Sequence, residues 1–187
     1  CALPILKDLS APQLGAVVIR EALSRAGVAP ADVDDVLMGC VLQGGAGMNV
    51  ARQAALAAGV PKEVPAATVN RVCGSGLQSI AHAVEAIQLG YAQTVVAGGA
   101  ESMSNAPYVL TGARWGYRMG HGEALDTLLY EGLTCAIEHY HMGITAENVA
   151  ERFSVSRADQ DAFGAESQRR ATAAIAARAT RRPPRRA

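Results

Sequence analysis

Thr68-Val69-Asn70-Arg71-Val72-Cys73-Gly74-Ser75-Gly76-Leu77 runs from the end of a β-branched segment, through a turn, into an amphipathic helix. A strand near 66–70 precedes it. From about Gly74 to Leu89, the residues Leu77, Ile80, Ala81, Val84 and Ile87 recur at helical spacing and line one face. The order strand, turn, helix places Cys73 at a helix N-terminus, where unpaired backbone N–H groups and the positive dipole end stabilise a thiolate. Gly74 and Gly76 leave the thiol uncrowded, so a bulky acyl donor can reach it and nucleophilic catalysis becomes available. The turn alone is not specific, and it equally suits a Cys73 that is one more small buried hydrophobe.

The same alternation recurs on either side of this stretch. Ser10, Pro12 and Gln13 form a capping-box start, and Leu14, Val17, Val18 and Leu23 follow at helical spacing up to Gly27. Val33 to Val41 is a short apolar segment that suits a buried strand. Gly44, Gly45 and Gly47 make a loop before an Ala-rich helix at about 49–58, ended by Gly59 and Pro61. A further strand falls at 94–97. Helices alternating with short apolar strands predict an α/β fold with a mainly parallel sheet, helices on both faces and possible mixed edges. Residues 102–142 break this rhythm and read as loops and short helices. Helices resume at about 145–152 and from the N-cap Ser156, with Asp159 at the capping-box position, toward Ala177. The expected organisation is an α/β part over residues 1–102, an irregular loop part over 103–177 and an Arg/Pro-rich tail over 178–187 without fixed structure.

The chain has 187 residues, with 17 Lys+Arg and 17 Asp+Glu. That neutrality is a cancellation: residues up to Gln168 hold all 17 acids and 10 of the bases, and the last 19 residues hold seven arginines and no acid. Nothing here predicts a nucleic-acid partner, since the basic end lacks the aromatics and fold context of such a site. No apolar run approaches the roughly 18 residues of a membrane span. The four cysteines, Cys1, Cys40, Cys73 and Cys135, form no CxxC pair, and the four histidines include no HExxH, so no metal site is expected. Without a signal-like segment, a reducing cytoplasm is the expected setting. Gly44-Gly45-Ala46-Gly47 lacks the spacing of a phosphate loop and reads as a turn.

Asn70-Arg71-Val72-Cys73-Gly74-Ser75-Gly76-Leu77 closely resembles the nucleophile motif of the thiolases. Gly98-Gly99-Ala100-Glu101-Ser102-Met103-Ser104 resembles their second N-terminal signature. His141-Met142-Gly143-Ile144-Thr145-Ala146-Glu147-Asn148 is similar to the segment near the substrate pocket of the biosynthetic, acetoacetyl-CoA type. Lys7-Asp8-Leu9 and the helix from Asp159 to Gln168 also fit, so the resemblance covers about 6–177.

The resemblance implies the N-terminal half of a thiolase-like fold and a ping-pong acyl transfer. Cys73 would take an acyl group from a CoA thioester, with its backbone N–H as an oxyanion donor. His141 and Met142 would lie near the pantetheine and acyl groups, with short acyl chains favoured. Acyl-CoA is then substrate, with no cofactor, and the family's homodimers or homotetramers are the implied assemblies. Glu101 would serve as a structural hydrogen-bonding group. The aromatic patch of Tyr108, Trp115, Tyr117 and Met119 would lie on the oligomerisation side.

The family's second-half motifs, an Asn in Asn-Glu-Ala-Phe, a His in Gly-His-Pro and a second Cys in a Gly-rich loop, do not occur in these residues. Its first strand, which the resemblance places centrally in the sheet, is replaced by Cys1 to Ile5. The expectation is therefore a truncated chain without thiolase turnover of its own. Two alternatives stand beside it. One is a non-catalytic fragment, or one half of a split enzyme, that binds acyl-CoA or a partner chain. The other is a β-ketoacyl synthase-like condensing enzyme, disfavoured because consecutive serines usually follow the cysteine there and Gly-Ser-Gly follows it here.

Overall fold

A computed structural model describes residues 5–181, with the backbone alone for 178–181. The chain divides into two compact units, Cys1–Ile137 and Glu138–Ala187. The expected Cys1 to Ile5 replacement of a first strand falls, apart from Ile5, outside the described residues, as does the tail beyond Arg181.

The first unit begins with α1 (Ala11–Ala26). Its capping box is formed as expected: the Ser10 hydroxyl accepts from the Gln13 N–H, and the Gln13 side chain accepts from the Ser10 N–H at 2.8 Å. Gly27, at φ 68°, closes the helix in the left-handed conformation that glycine adopts without a Cβ clash. Then come β1 (Asp35–Gly39), α2 (Val50–Ala57), β2 (Ala66–Val69), α3 (Ser75–Gln88) and β3 (Val95–Gly99). The three strands form a parallel sheet in the order β2-β1-β3.

This order corrects the expectation of a lost central strand. Gly39 pairs with Val69 on one side and Gly99 on the other, in unbroken register along β1. The sheet has no gap to fill, so any further strand can join only outside β2 or β3.

Alternation along β1 explains the layering. Val36 and Met38 point to one face and join a core with Ile19 and Leu23 of α1 and Ala51, Ala54 and Ala55 of α2. Small residues allow these helices to approach closely: a Cβ on Gly15 would stand 2.9 Å from the Ala54 Cβ. Gly39 points to the opposite face, toward α3. Asp34 ties the strand entrances together by accepting from the N–H groups of Gln93 at 2.7 Å and Thr94 at 2.9 Å, and these two bonds hold its carboxyl below the usual carboxylate range.

The apolar stripe of α3 is not the face that meets the sheet. Ser75, Ser79 and Ala83 are buried there, whereas Leu77 is 74% exposed and Ile80, Val84 and Ile87 are each about half exposed. Small residues at a four-residue spacing permit close packing of the helix on the glycine-rich strand ends.

The irregular region after β3 contains the antiparallel pair β4 (Tyr108–Val109) and β5 (Leu125–Asp126), then a π-helical segment, Leu128–Leu133. In the second unit α4 (Met142–Arg152) starts three residues earlier than the pattern predicts, because His141 caps it. α5 (Arg157–Arg181) follows, and the Ser156 hydroxyl accepts from the Asp159 N–H at 3.1 Å, the expected cap.

Candidate active site

Cys73 stands just before Gly74, the N-cap of α3, and is exposed. The turn leading to it is tied internally. Asn70 accepts from the Val72 N–H at 3.0 Å, and the Ser75 hydroxyl accepts from the Arg71 N–H at 2.8 Å while donating to the Val72 carbonyl at 2.6 Å. These bonds hold Val72 at φ 48°, a left-handed conformation that costs a β-branched residue roughly 1–3 kcal/mol. The Gly74 and Ser75 N–H groups bond back to the Arg71 and Val72 carbonyls at 3.1 and 3.0 Å. These two donors, expected from sequence to be open at the helix end, are thus engaged within the turn.

The turn can sit where it does because glycine occupies the strand ends beneath it. A Cβ on Gly39 would meet the Ser75 carbonyl carbon at 2.5 Å and the Gly76 nitrogen at 2.6 Å, and one on Gly99 would meet the Gly39 oxygen at 3.1 Å. Ser79, fully buried, places its hydroxyl 2.7 Å from the carbonyl oxygens of both Gly76 and Gly98, fastening α3 to β3. Backbone is therefore packed on backbone at this junction.

An apolar cleft of about 320 Å³ opens beside Cys73. Val72, Leu42, Met103 and the π-helical residues Leu128, Gly132 and Leu133 form much of its wall. Glu101 fixes one side. Its carboxylate accepts from the N–H groups of Val41 at 2.9 Å and Leu42 at 2.7 Å, and the Cys40 Sγ lies 3.3 Å from its Oε1. Cys40 is fully buried, and burial, reinforced by the hydrogen bond to Glu101 and its negative charge, pushes the thiol up to about 12. Cys40 is thus a proton-retaining, structural thiol. Glu101 has the hydrogen-bonding role expected of it. The second signature also anchors the chain start: the Ser102 hydroxyl donates to the Leu9 carbonyl at 2.7 Å, and the Asn105 amide to the Lys7 carbonyl at 2.6 Å.

His141 and Met142 belong to the second unit. The His141 Nδ1 accepts from the Gly143 N–H at 3.0 Å and so caps α4, a use of histidine outside the usual Ser, Thr, Asp and Asn set. Both side chains are exposed.

Sequence reasoning singled out Cys73 and Glu101 in this region and missed Val72, Gly39, Leu42 and Gly132. The paired glycines at 98–99 and the strand-ending Gly39 were the available signal, since glycine at a strand end marks a close backbone approach. Nothing local in the sequence marks Leu42 or Gly132.

This site lies in a chain that belongs to the thiolase family: the family model described as "Thiolase, N-terminal domain" matches residues 3–182. Among curated proteins, the chain is 54% identical over 171 residues to the acetyl-CoA acetyltransferase of Escherichia coli (strain K12) and 52% identical over 170 residues to that of Pseudomonas aeruginosa. It is 50% identical over 172 residues to the acetyl-CoA acetyltransferase of Syntrophomonas wolfei. Each alignment covers 91% of this chain and 43% of the relative. The chain therefore spans less than half the length of the curated relatives it matches.

Proposed function

We propose that Cys73 is the nucleophile of an acyl transfer between coenzyme A thioesters, two acetyl-CoA giving acetoacetyl-CoA and CoA, or the reverse cleavage. The observation that carries this reading is an exposed thiol on a strained turn beside an apolar cleft. In the first half-reaction the Cys73 thiolate attacks the acyl carbonyl carbon, the carbon–sulfur bond to CoA breaks, and CoA leaves as a thiolate that takes up a proton. The Cys73 backbone N–H is the proposed donor to the transient oxyanion. In the second, the enolate carbon of another acetyl-CoA attacks the acyl group and frees the Cys73 thiolate. Coenzyme A enters only as substrate and leaving group. His141 and Met142 are proposed to bind the pantetheine and acyl portions, with short acyl chains preferred.

Carbon–carbon bond formation needs a base for the thiol and an acid/base for the acetyl methyl group. The motifs that resemblance assigns to those tasks do not occur in these 187 residues. The expected result with this chain and acetyl-CoA is therefore acetylation of Cys73, read by intact mass and abolished in Cys73→Ala, without acetoacetyl-CoA above that control. Absence of any acetylation at Cys73 would refute the acyl-transfer reading.

A second reading, one half of a split enzyme that works with further polypeptide, is favoured by the exposed apolar stripe Leu77, Ile80, Val84 and Ile87 beside the site. Failure of a co-expressed polypeptide carrying the second-half motifs to co-purify with this chain would count against it, and a monodisperse monomer at high concentration in analytical ultracentrifugation would count against dimer or tetramer assembly. A cytoplasmic setting fits the reduced thiols of Cys40 and Cys73. Among the described residues no helix is long and apolar enough to cross a membrane.

A further inference from the structure

The cleft beside Cys73 owes part of its room to a residue without a side chain. Four glycines line it: Gly39, Gly76, Gly99 and Gly132. Three of them face backbone. A Cβ on Gly39 would meet main-chain atoms at 2.5 Å and one on Gly99 at 3.1 Å, and the nearest neighbour of one on Gly76 is the Gly98 carbonyl at 3.9 Å. Gly132 differs. Beyond its own helix and chain neighbours, a Cβ there would meet one heavy atom within 4 Å, the Leu42 Cδ2 at 3.4 Å, and Leu42 is itself part of the cleft wall. The Gly132 φ lies outside the left-handed range, so an added side chain meets no left-handed backbone penalty there. Leu42 is buried, and its N–H is held by Glu101 at 2.7 Å, so it resists moving away. A side chain at position 132 therefore has the cleft open to it, with Leu42 as its nearest wall.

We propose that Gly132, facing Leu42, sets the length of linear chain that fits alongside Cys73, and so is the specificity-determining position for the acyl group. The acyl part of this inference rests on the acyl-transfer reading above. The difference between one methylene accommodated and one rejected in an apolar pocket is about 10- to 200-fold in rate, which makes the effect readable.

The test uses the 187-residue chain and two probes. Methyl, butyl and octyl methanethiosulfonates form a mixed disulfide as the Cys73 thiolate displaces methanesulfinate, and they report on room beside the thiol without requiring acyl transfer. Peptide mass spectrometry reads the modification at Cys73 itself. In Gly132→Leu, the butyl-to-methyl rate ratio should fall about tenfold or more. Gly132→Ala should fall between, and Leu42→Ala should raise the ratio. An unchanged ratio in both Gly132 variants, or equal losses for methyl and butyl probes, overturns the proposal. Acetyl-, butyryl- and hexanoyl-CoA form the second arm, read as mass added to Cys73. A matching loss of the longer acyl groups supports the assignment in full. A shifted alkyl ratio with no acylation at any length overturns the acyl-transfer reading and with it the acyl assignment, leaving Gly132 as the gate of an alkyl cleft.

Discussion

Gly39→Ala tests whether the glycine-built junction beneath Cys73 positions the site. The added methyl would stand 2.5 Å from the Ser75 carbonyl carbon, 2.6 Å from the Gly76 nitrogen and 2.8 Å from the Ser75 Cβ. Carbon atoms prefer roughly 3.5 Å or more, so one element must move by about 1 Å. β1 cannot move easily, since the Cys40 N–H bonds to the Val69 carbonyl at 3.0 Å and the Ala100 N–H to the Gly39 carbonyl at 3.0 Å. The first turn of α3 must move instead. Such a shift would stretch the Ser79 contact to the Gly98 oxygen and the Arg71-to-Ser75 bond, now 2.7 and 2.8 Å, beyond hydrogen-bonding range. Overpacking costs about 1–3 kcal/mol and each lost bond about 1 kcal/mol, giving roughly 3–5 kcal/mol. For a chain of this size that corresponds to a Tm lower by on the order of 10 °C. Urea denaturation gives the stability and iodoacetamide labelling of Cys73 reports the turn. Gly99→Ala, with its closest approach at 3.1 Å, should be milder, and Gly164→Ala, with nothing within 4 Å, should be neutral or stabilising by up to about 1 kcal/mol. A Gly39→Ala chain with wild-type midpoint and wild-type labelling rate would refute the reasoning.

Alkaline pH should destabilise the fold through Cys40. Its folded pKa of about 12 lies above the ordinary 9.0, so the folded state keeps a proton that the unfolded chain releases. Stability from this group is full below pH 9 and falls as pH rises toward 12, by about 1.4 kcal/mol per unit; parallel stability–pH profiles for wild type and Cys40→Ala would contradict this. Glu101→Gln can no longer accept with two charged oxygens and should lose roughly 1–3 kcal/mol, with faster hydrogen exchange at the Val41 and Leu42 amides. Val72→Gly relieves a left-handed φ of 48° and should leave the unfolding free energy from urea curves unchanged or raise it by up to about 1 kcal/mol, against the usual penalty for glycine. Ile80→Ser, on the exposed stripe, should change stability by less than about 0.5 kcal/mol, whereas Ser79→Ala should lose about 1 kcal/mol, both read from urea curves.

Local signals located most elements of the first unit. The capping box at Ser10, the left-handed Gly27 and the β-branched strands act over a few residues, so α1, β1 and the strand–turn–helix around Cys73 fall within a few residues of their expected positions. The start of α4 did not, because a histidine ring supplies the cap. The apolar stripe of α3 misleads in a different way: periodicity shows that a helix has two unlike faces, but not which one meets the sheet.

From sequence alone followed the α/β alternation, the family and the choice of Cys73, since each rests on short-range spacing or on ordered motifs. The strand order came only from the tertiary structure, because pairing joins β1 to β3 across about 60 residues and removes the supposed central gap. Tertiary structure also decided that Gly39 lies under the Cys73 turn, that Glu101 holds the loop at Leu42, and that Gly132 shares a cleft with Cys73. Those contacts depend on van der Waals distances between segments far apart along the chain, and such distances exist only after the sheet has assembled.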